Sequence, residues 1–351
     1  MSASAATIGE GGAVGWVGLD APLELIEAAG LRPQRLVADV RSEVHTVDPY
    51  GEGGGHPWMR AMAAELIEAA PALERVVLCS TPVNELWLYN FILSLALRRE
   101  SGPFPPADLL NLSHEPRPSA QRLNRASLQT LAESLAVTGE DAIREAIAQR
   151  NRVRAALRAI DGLRHGKAGH ISGALARRRM DAADNLRSAD YLAWIAAQAP
   201  GQPAPGLPVI YSGPGVPSLE VYDALEAAGL RIVGDDADAG SRAIGPDVAE
   251  TGDPFAAIAS RYRARSPAPA GWSTADRVAW LTDLALSRGA RAVLFDLPPW
   301  SHPAAWDYPA ERAALEAQGV VSIELPAAEP QEAASAASGA LANLIAEFAH
   351  V

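Results

Sequence analysis

The chain has 351 residues, 48% of them hydrophobic and 21% charged, with a net charge of −12. That length allows two domains with a large core, and the acidic balance argues against nucleic acid or an anionic membrane as the main partner. The single cysteine, Cys79, excludes a disulfide framework and a thiolate-bound zinc site. It also leaves too few thiolates for an ordinary iron–sulfur cluster held by one chain, which takes about three or four.

The opening MSASAATIGEGG carries no basic-then-apolar signal pattern, and no apolar run approaches the roughly 20 residues that span a bilayer. The expectation is a soluble, cytoplasmic protein. Lys167 is the only lysine, so arginine carries nearly all the positive charge.

Strands and helices alternate from the start. An apolar stretch over Ala13–Val17 breaks at Gly18-Leu19-Asp20, and a helix pattern follows over Pro22–Ala29. Further strands are predicted at Arg35–Asp39, Arg75–Ser80 and Asp108–Leu112, with helices at Pro57–Ala70 and Val83–Arg99. Such βα alternation implies a parallel sheet with right-handed crossovers. From about Ser119 to Gln198 there is no strand candidate. Leu123, Leu128, Leu131 and Leu135 mark one helix, Ile143 to Ile160 a second, and Asn185–Ala197 a further one. A Pro/Gly-rich linker, QAPGQPAPGLP, spans Gln198–Pro208.

Alternation then returns. Strands are predicted at Val209–Ser212, Leu230–Gly234, Ala292–Phe295 and Val320–Glu324. Helices are predicted at Ser218–Ala228, Pro254–Ala264, Thr274–Ser287, Ala310–Ala317 and Leu341–Phe348. The reading is an α/β protein, with an N-terminal α/β domain over 1–117, a helical segment over 118–200 and a C-terminal α/β domain over 201–351.

Several strand edges offer chemistry. The opening turn leads into a helix whose first N–H groups favour an anion, and Asp20 is its polar group. The stretch YSGPGVPS, Tyr211–Ser218, follows a strand and opens a helix. Gly213 and Gly215 let backbone approach a ligand, and Ser218 stands at the helix start. A phosphate or acyl-thioester contact is one reading; a turn shaped by Gly and Pro with Ser218 as N-cap is the other. In GDDADAGSR, Asp236 and its neighbours could hold a metal or a substrate hydroxyl, with Arg242 neutralising them or holding an anion. Alternatively this is a polar loop with aspartates capping a turn.

The edge DLPPWSHP holds Ser301 and His302 in a stiff segment, where adjacent side chains point apart and no G-x-S-x-G elbow is present. His45, Asp48 and His56 are a loose metal-ligand grouping. Arg177-Arg178-Arg179 reads as an exposed face, and Trp87–Phe91 as core packing or a subunit contact.

Taken together, the stretches GWVGLDAPLELIEAAGLRPQRL, LAESLAVTGEDAIREAIAQRNRVRAAL with the following Ser172-Gly173, VIYSGPGVPSLEVYDALEAAGLRIVGDDADAGSR and SRGARAVLFDLPPWSHP resemble the 2-hydroxyacyl-CoA dehydratase and benzoyl-CoA reductase family. The resemblance implies two Rossmann-like parallel-sheet domains joined by a helical segment. Members typically hold a [4Fe–4S] cluster through three cysteines; the matching positions here are Gly18, about Pro82 and about Ser301. A further position, often cysteine in D-D-x-C-x-G-x-R, is Asp238. Cys79 falls three residues before the second position, inside the strand.

The resemblance therefore implies a degenerate iron–sulfur site with no cofactor bound by this chain, a [4Fe–4S] cluster residing instead in a sister subunit. The chain would be a cluster-free subunit contributing acyl-CoA binding and a subunit interface. Gly213, Gly215, Ser218 and Arg242 are its substrate-binding candidates. The alternative is a stand-alone acyl-CoA-binding protein or a non-redox acid–base enzyme, in which Asp20, Asp236 and His302 are the groups to suspect.

Overall fold

The computed structural model describes residues 12–38, 40, 45, 47, 57–79, 84–97, 104–165, 169–213, 218–238, 240–265, 267–268, 272–298, 302–326 and 330–349. In chain order the first part comprises β1 (Ala13–Val17), α1 (Leu23–Ala28), β2 (Arg32–Arg35), α2 (Pro57–Ala69), β3 (Leu73–Cys79), α3 (Asn84–Leu97) and β4 (Ala107–Leu110). Helices α4 (Pro118–Ser134), α5 (Glu140–Leu163), α6 (Gly173–Ala183) and α7 (Ser188–Ala196) follow. The rest is β5 (Leu207–Ser212), α8 (Leu219–Ala227), β6 (Leu230–Asp236), α9 (Ser241–Ile244), α10 (Pro254–Arg263), α11 (Thr274–Ser287), β7 (Ala292–Asp296), α12 (His302–Ala317), β8 (Val321–Leu325), α13 (Pro330–Ala340) and α14 (Ala342–Ala349).

Two four-stranded sheets result, ordered β2-β1-β3-β4 and β6-β5-β7-β8, and every pairing is parallel. This is the α/β architecture of two Rossmann-like units. Both faces of each sheet are covered, as the uninterrupted apolar strands require. On β1, Val14 and Trp16 face a core shared with α1, α4, α5 and α10, while Ala13 and Val17 face α2 and α3. In the second sheet, Val209 and Tyr211 pack toward α6, α8 and α13, and Ile210 toward α11.

Several readings differ from the sequence-based expectation, each for a physical reason. Strand β2 lies at Arg32–Arg35 rather than 35–39. It is an edge strand, where polar residues and Pro33 are tolerated because one ladder is missing. Helix α12 begins at His302 rather than Ala310. Pro303 suits a first helical turn and Pro309 sits inside the helix, so prolines taken as loop markers are helical. Helix α13 is unanticipated; its Ala333, Ala334 and Ala337 are small enough to bury against the second sheet's core without an apolar stripe. The run Arg177–Arg179 is not an exposed face: Arg177 and Arg179 are buried, and only Arg178 lies outside.

The helical segment binds the two units together. Helix α5, 24 residues long, runs past both. Its buried Arg154 pairs with Glu24 of α1, and Arg150 meets Glu27 at 3.3 Å. At its far end, Arg164 holds Asp161 and reaches Asp235 of β6 at 2.6 Å. Helix α6 is capped by Ser172, whose Oγ accepts the Leu175 N–H at 3.0 Å. It lies so close to β6 that a Cβ on Gly173 would sit 2.6 Å from Ile232 Cβ. The chain also crosses back: α10, from the second half, packs on α4 and adds Phe255, Ile258 and Tyr262 to the first unit's core.

Glu24 is fully buried. Burial pushes its carboxyl up, but the charges of Arg154 and Arg261 outweigh it and leave it lowered to about 2. Tyr262 Oη donates to Glu24 Oε2 at 3.1 Å and to the Ala21 carbonyl at 2.7 Å. Glu24→Ala would strand Arg154 as an unpaired buried cation. The expected loss of stability is about 3–5 kcal/mol, read from urea unfolding followed by circular dichroism; a loss below about 1 kcal/mol would contradict this role for the pair.

Candidate functional site

In a sheet of order 2-1-3-4 the connections diverge to opposite sides between the first and third strands, and ligands gather outside those strands' carboxyl ends. Each sheet has such a switch point. One lies where β1 and β3 end, at Gly18 and Cys79; the other lies where β5 and β7 end, at Gly213 and Asp296.

At the first, Gly18 takes a φ of 96°, a left-handed conformation natural to glycine, and the turn swings Asp20 inward. Asp20 is buried. Its Oδ1 lies 2.7 Å from Arg265 Nε, and its Oδ2 lies 3.1 Å from His114 Nε2. Arg265 also donates to the Leu19 carbonyl at 3.4 Å. Trp272 covers the group: its ring is 4.2 Å from that of His114, and Arg265 Cζ stands 5.2 Å from a Trp272 ring centroid.

His114 is held from behind. Asn124 of α4 accepts the Ser113 N–H at 2.7 Å and donates to the Ser113 carbonyl at 2.8 Å, fixing the loop after β4.

Cys79 closes β3 beside this turn. Burial pushes its thiol well up, and the charges of Asp20 and Glu85 push the same way. Glu85, in the first turn of α3, is also buried, and burial with Asp238 nearby raises its carboxyl well above the usual range. Among the described residues no group of three or more His, Cys, Asp or Glu could hold a metal ion.

At the second switch point, Tyr211 Oη donates to Asp296 Oδ2 at 2.6 Å, and burial raises the Asp296 carboxyl. Gly213 follows β5, and its N–H donates to the Asp236 carbonyl at 3.1 Å. Ser218 caps α8, its Oγ accepting the Val221 N–H at 3.4 Å. Asp236 accepts from Ser212 Oγ at 3.0 Å, from Arg277 at 2.9 and 2.6 Å, and from Arg242. Burial raises its carboxyl, yet Arg242 and Arg277 hold it far below the usual range. Arg242 is fully buried and also grips Asp238 at 2.6 Å. Arg277 continues to Glu311 of α12 at 2.7 Å.

The sequence-predicted residues therefore divide. Asp20 joins one constellation, while Asp236, Arg242 and Gly213 meet in another. A shared wall links the two, because Arg35 of β2 donates to the Asp238 carbonyl at 3.2 Å and the charges of Arg242 and Asp238 both act on Arg265. The backbone of His302 opens α12, the helix that supplies Asp307 and Glu311. Gly215, Pro82, Ser301, Asp48 and His56 lie outside the described residues, and His45 is exposed. Sequence reasoning missed His114, Arg265, Trp272 and Arg277. For His114 there was a signal: NLSHEP places it directly after a predicted strand.

A family model described as 2-hydroxyglutaryl-CoA dehydratase, D-component, matches residues 19–348. The chain belongs to this family. The match begins in the opening turn, after β1, and runs through the other strands of both sheets and the helical segment between them. Comparison with curated proteins finds no match.

Glu311 gives this dehydratase-family chain a pH signature. Burial pushes its carboxyl up to about 7, Arg277 opposes the shift, and Asp236 and Asp307 add to it. A carboxyl raised in the folded state favours folding below its unfolded value near 4.5, and that contribution is lost as pH rises through about 7. Glu311→Gln keeps an acceptor for Arg277 and removes the titration. Its stability relative to wild type is expected to climb between pH 4.5 and 8, by about 1–3 kcal/mol; a pH-independent difference in denaturant midpoints would refute the assignment.

Proposed function

We propose that the chain is the cluster-free subunit of a 2-hydroxyacyl-CoA dehydratase-like or benzoyl-CoA reductase-like complex, contributing acyl-CoA contacts and the interface to a sister subunit. The family match over 19–348 supports membership in such an assembly. The donor set at the first switch point supports the cluster-free role. Gly18 offers no side chain, and the sole thiol, Cys79, is packed among Val14, Leu25 and Val77 with its proton held firmly. These residues do not fit a [4Fe–4S] cluster, which needs about three or four thiolates. A sister subunit would then supply the iron.

Acyl-CoA contacts are assigned to the second switch point. Helix α8 presents its N-terminus there behind Gly213 and Ser218, and free N–H groups with a helix dipole favour an anion such as a CoA phosphate. Gly215 completes the proposed set; Arg242, which the sequence offered as a further contact, is instead fully buried and committed to Asp236 and Asp238. A second reading, non-redox acid–base chemistry by the chain alone on an acyl-CoA, draws support from Asp20 being held beside His114.

The test is iron. Anaerobically isolated chain is expected to be colourless with iron far below one equivalent, and any iron in the purified complex should follow the sister subunit after separation. Stoichiometric iron with visible charge-transfer absorption in this chain alone would overturn the proposal. Gly215→Asp is expected to weaken acyl-CoA binding about tenfold or more, about 1.4 kcal/mol, in isothermal titration; unchanged affinity would remove the α8 turn as the contact.

A further inference from the structure

His114 is built like a proton acceptor rather than a core histidine. The backbone just before it is held by the Asn124 clamp on Ser113, and its ring meets Trp272 at 4.2 Å and Asp20 at 3.1 Å. A carboxylate only accepts hydrogen bonds, so Asp20 selects the tautomer with the proton on Nε2 and leaves a lone pair on Nδ1. The Arg265 guanidinium, 2.7 Å from the other Asp20 oxygen, fixes the carboxylate in turn. His114 Nδ1 is itself buried and has no hydrogen-bond partner among the described residues; the same holds for Arg265 Nη2, while Arg265 Nε and Asp20 Oδ1 meet as an ion pair without hydrogen-bond alignment. Buried polar atoms left in this way are costly and call for an explanation. Here an acceptor and a donor are both unsatisfied, on two groups that share Asp20 and Trp272, at the carboxyl edge of β1 and β3.

We propose that His114 is a catalytic proton acceptor for an acyl thioester bound at the first switch point, with Asp20 and Arg265 as its positioning residues. A ligand carrying a weakly acidic hydrogen beside a carbonyl oxygen matches the two free groups; a 2-hydroxyacyl thioester has both. The proton leaves the ligand and bonds to Nδ1, and its electron pair stays on the ligand. The resulting imidazolium keeps its Nε2–H on Asp20, whose charge balances it. The proton is then returned to the ligand or lost to water. The identity of the ligand rests on the acyl-CoA reading of the proposed function; the state of the imidazole does not.

Two measurements test this on the full chain, with its partner where one copurifies. In the first, nitrogen NMR of the 15N-histidine-labelled protein at pH 8, with His114 assigned by comparison with His114→Gln, should show protonated Nε2 and bare Nδ1. A proton on Nδ1 would overturn the proposal without any ligand or activity. In the second, 2-hydroxyglutaryl-CoA and acetyl-CoA serve as probes, and exchange of the hydrogen next to the thioester carbonyl is followed in D2O. His114→Gln is expected to lose about 100-fold in exchange rate with thioester affinity within about threefold of wild type. Asp20→Asn should redistribute the tautomer and slow exchange while binding persists. Exchange that survives in His114→Gln, or is absent from wild type that binds a probe, would refute the proton-acceptor role. Failure of wild type to bind either thioester would overturn the acyl-CoA reading instead, and the tautomer would still decide this one.

Discussion

The spine helix α5 carries one buried arginine to each Rossmann-like unit, and the arrangement of both switch points depends on that. Arg154 and Arg164 stand about 15 Å apart along the axis at about 1.5 Å per residue. One is paired with Glu24 of α1, directly after the turn that holds Asp20, and the other with Asp235, next to Asp236. Neither cation can leave its carboxylate without being stranded away from water, where an unpaired charge costs several kcal/mol. The two sheets are thereby held in one relation, with Arg35, Arg265, Arg242 and Asp238 forming the wall between them.

A single sequence revealed the regular parts of this fold because they obey local rules. Ala13–Val17 and Thr274–Ser287 begin and end as the sequence predicts: one is an apolar run closed by Gly18, the other a periodic helix with Ser273 as its cap. Where the expectation failed, the deciding force was tertiary. Arg32–Arg35 becomes a strand only because β1 offers a ladder, and the alanines of α13 become core only because the second sheet is there to cover. Arg177 looked solvent-facing because its neighbours in sequence are also arginines; what buries it is Asp181 one turn on and the Tyr222 ring from α8.

The site was legible in the same partial way. Carboxylates at strand ends stand out, so Asp20 and Asp236 could be named from the sequence. Their partners could not. His114 lies 94 residues from Asp20, and Arg277 lies 41 from Asp236. Nothing in either stretch announces which partner the fold will supply. The family resemblance drew attention to the opening turn, and the residues that meet around it here are Asp20, Arg265 and Trp272.

The near absence of lysine gives these ties a one-sided character. A buried lysine can shed its proton and wait out the loss of its partner as a neutral amine; arginine cannot. In such a pair only the acid member can change its charge. Protonating Glu24 or Asp236 would leave a guanidinium that has no neutral form to retreat to. Glu24 and Asp236, the carboxylates held lowest by their arginines, are thus points where acid loosens each half, whereas Glu311 responds to rising pH.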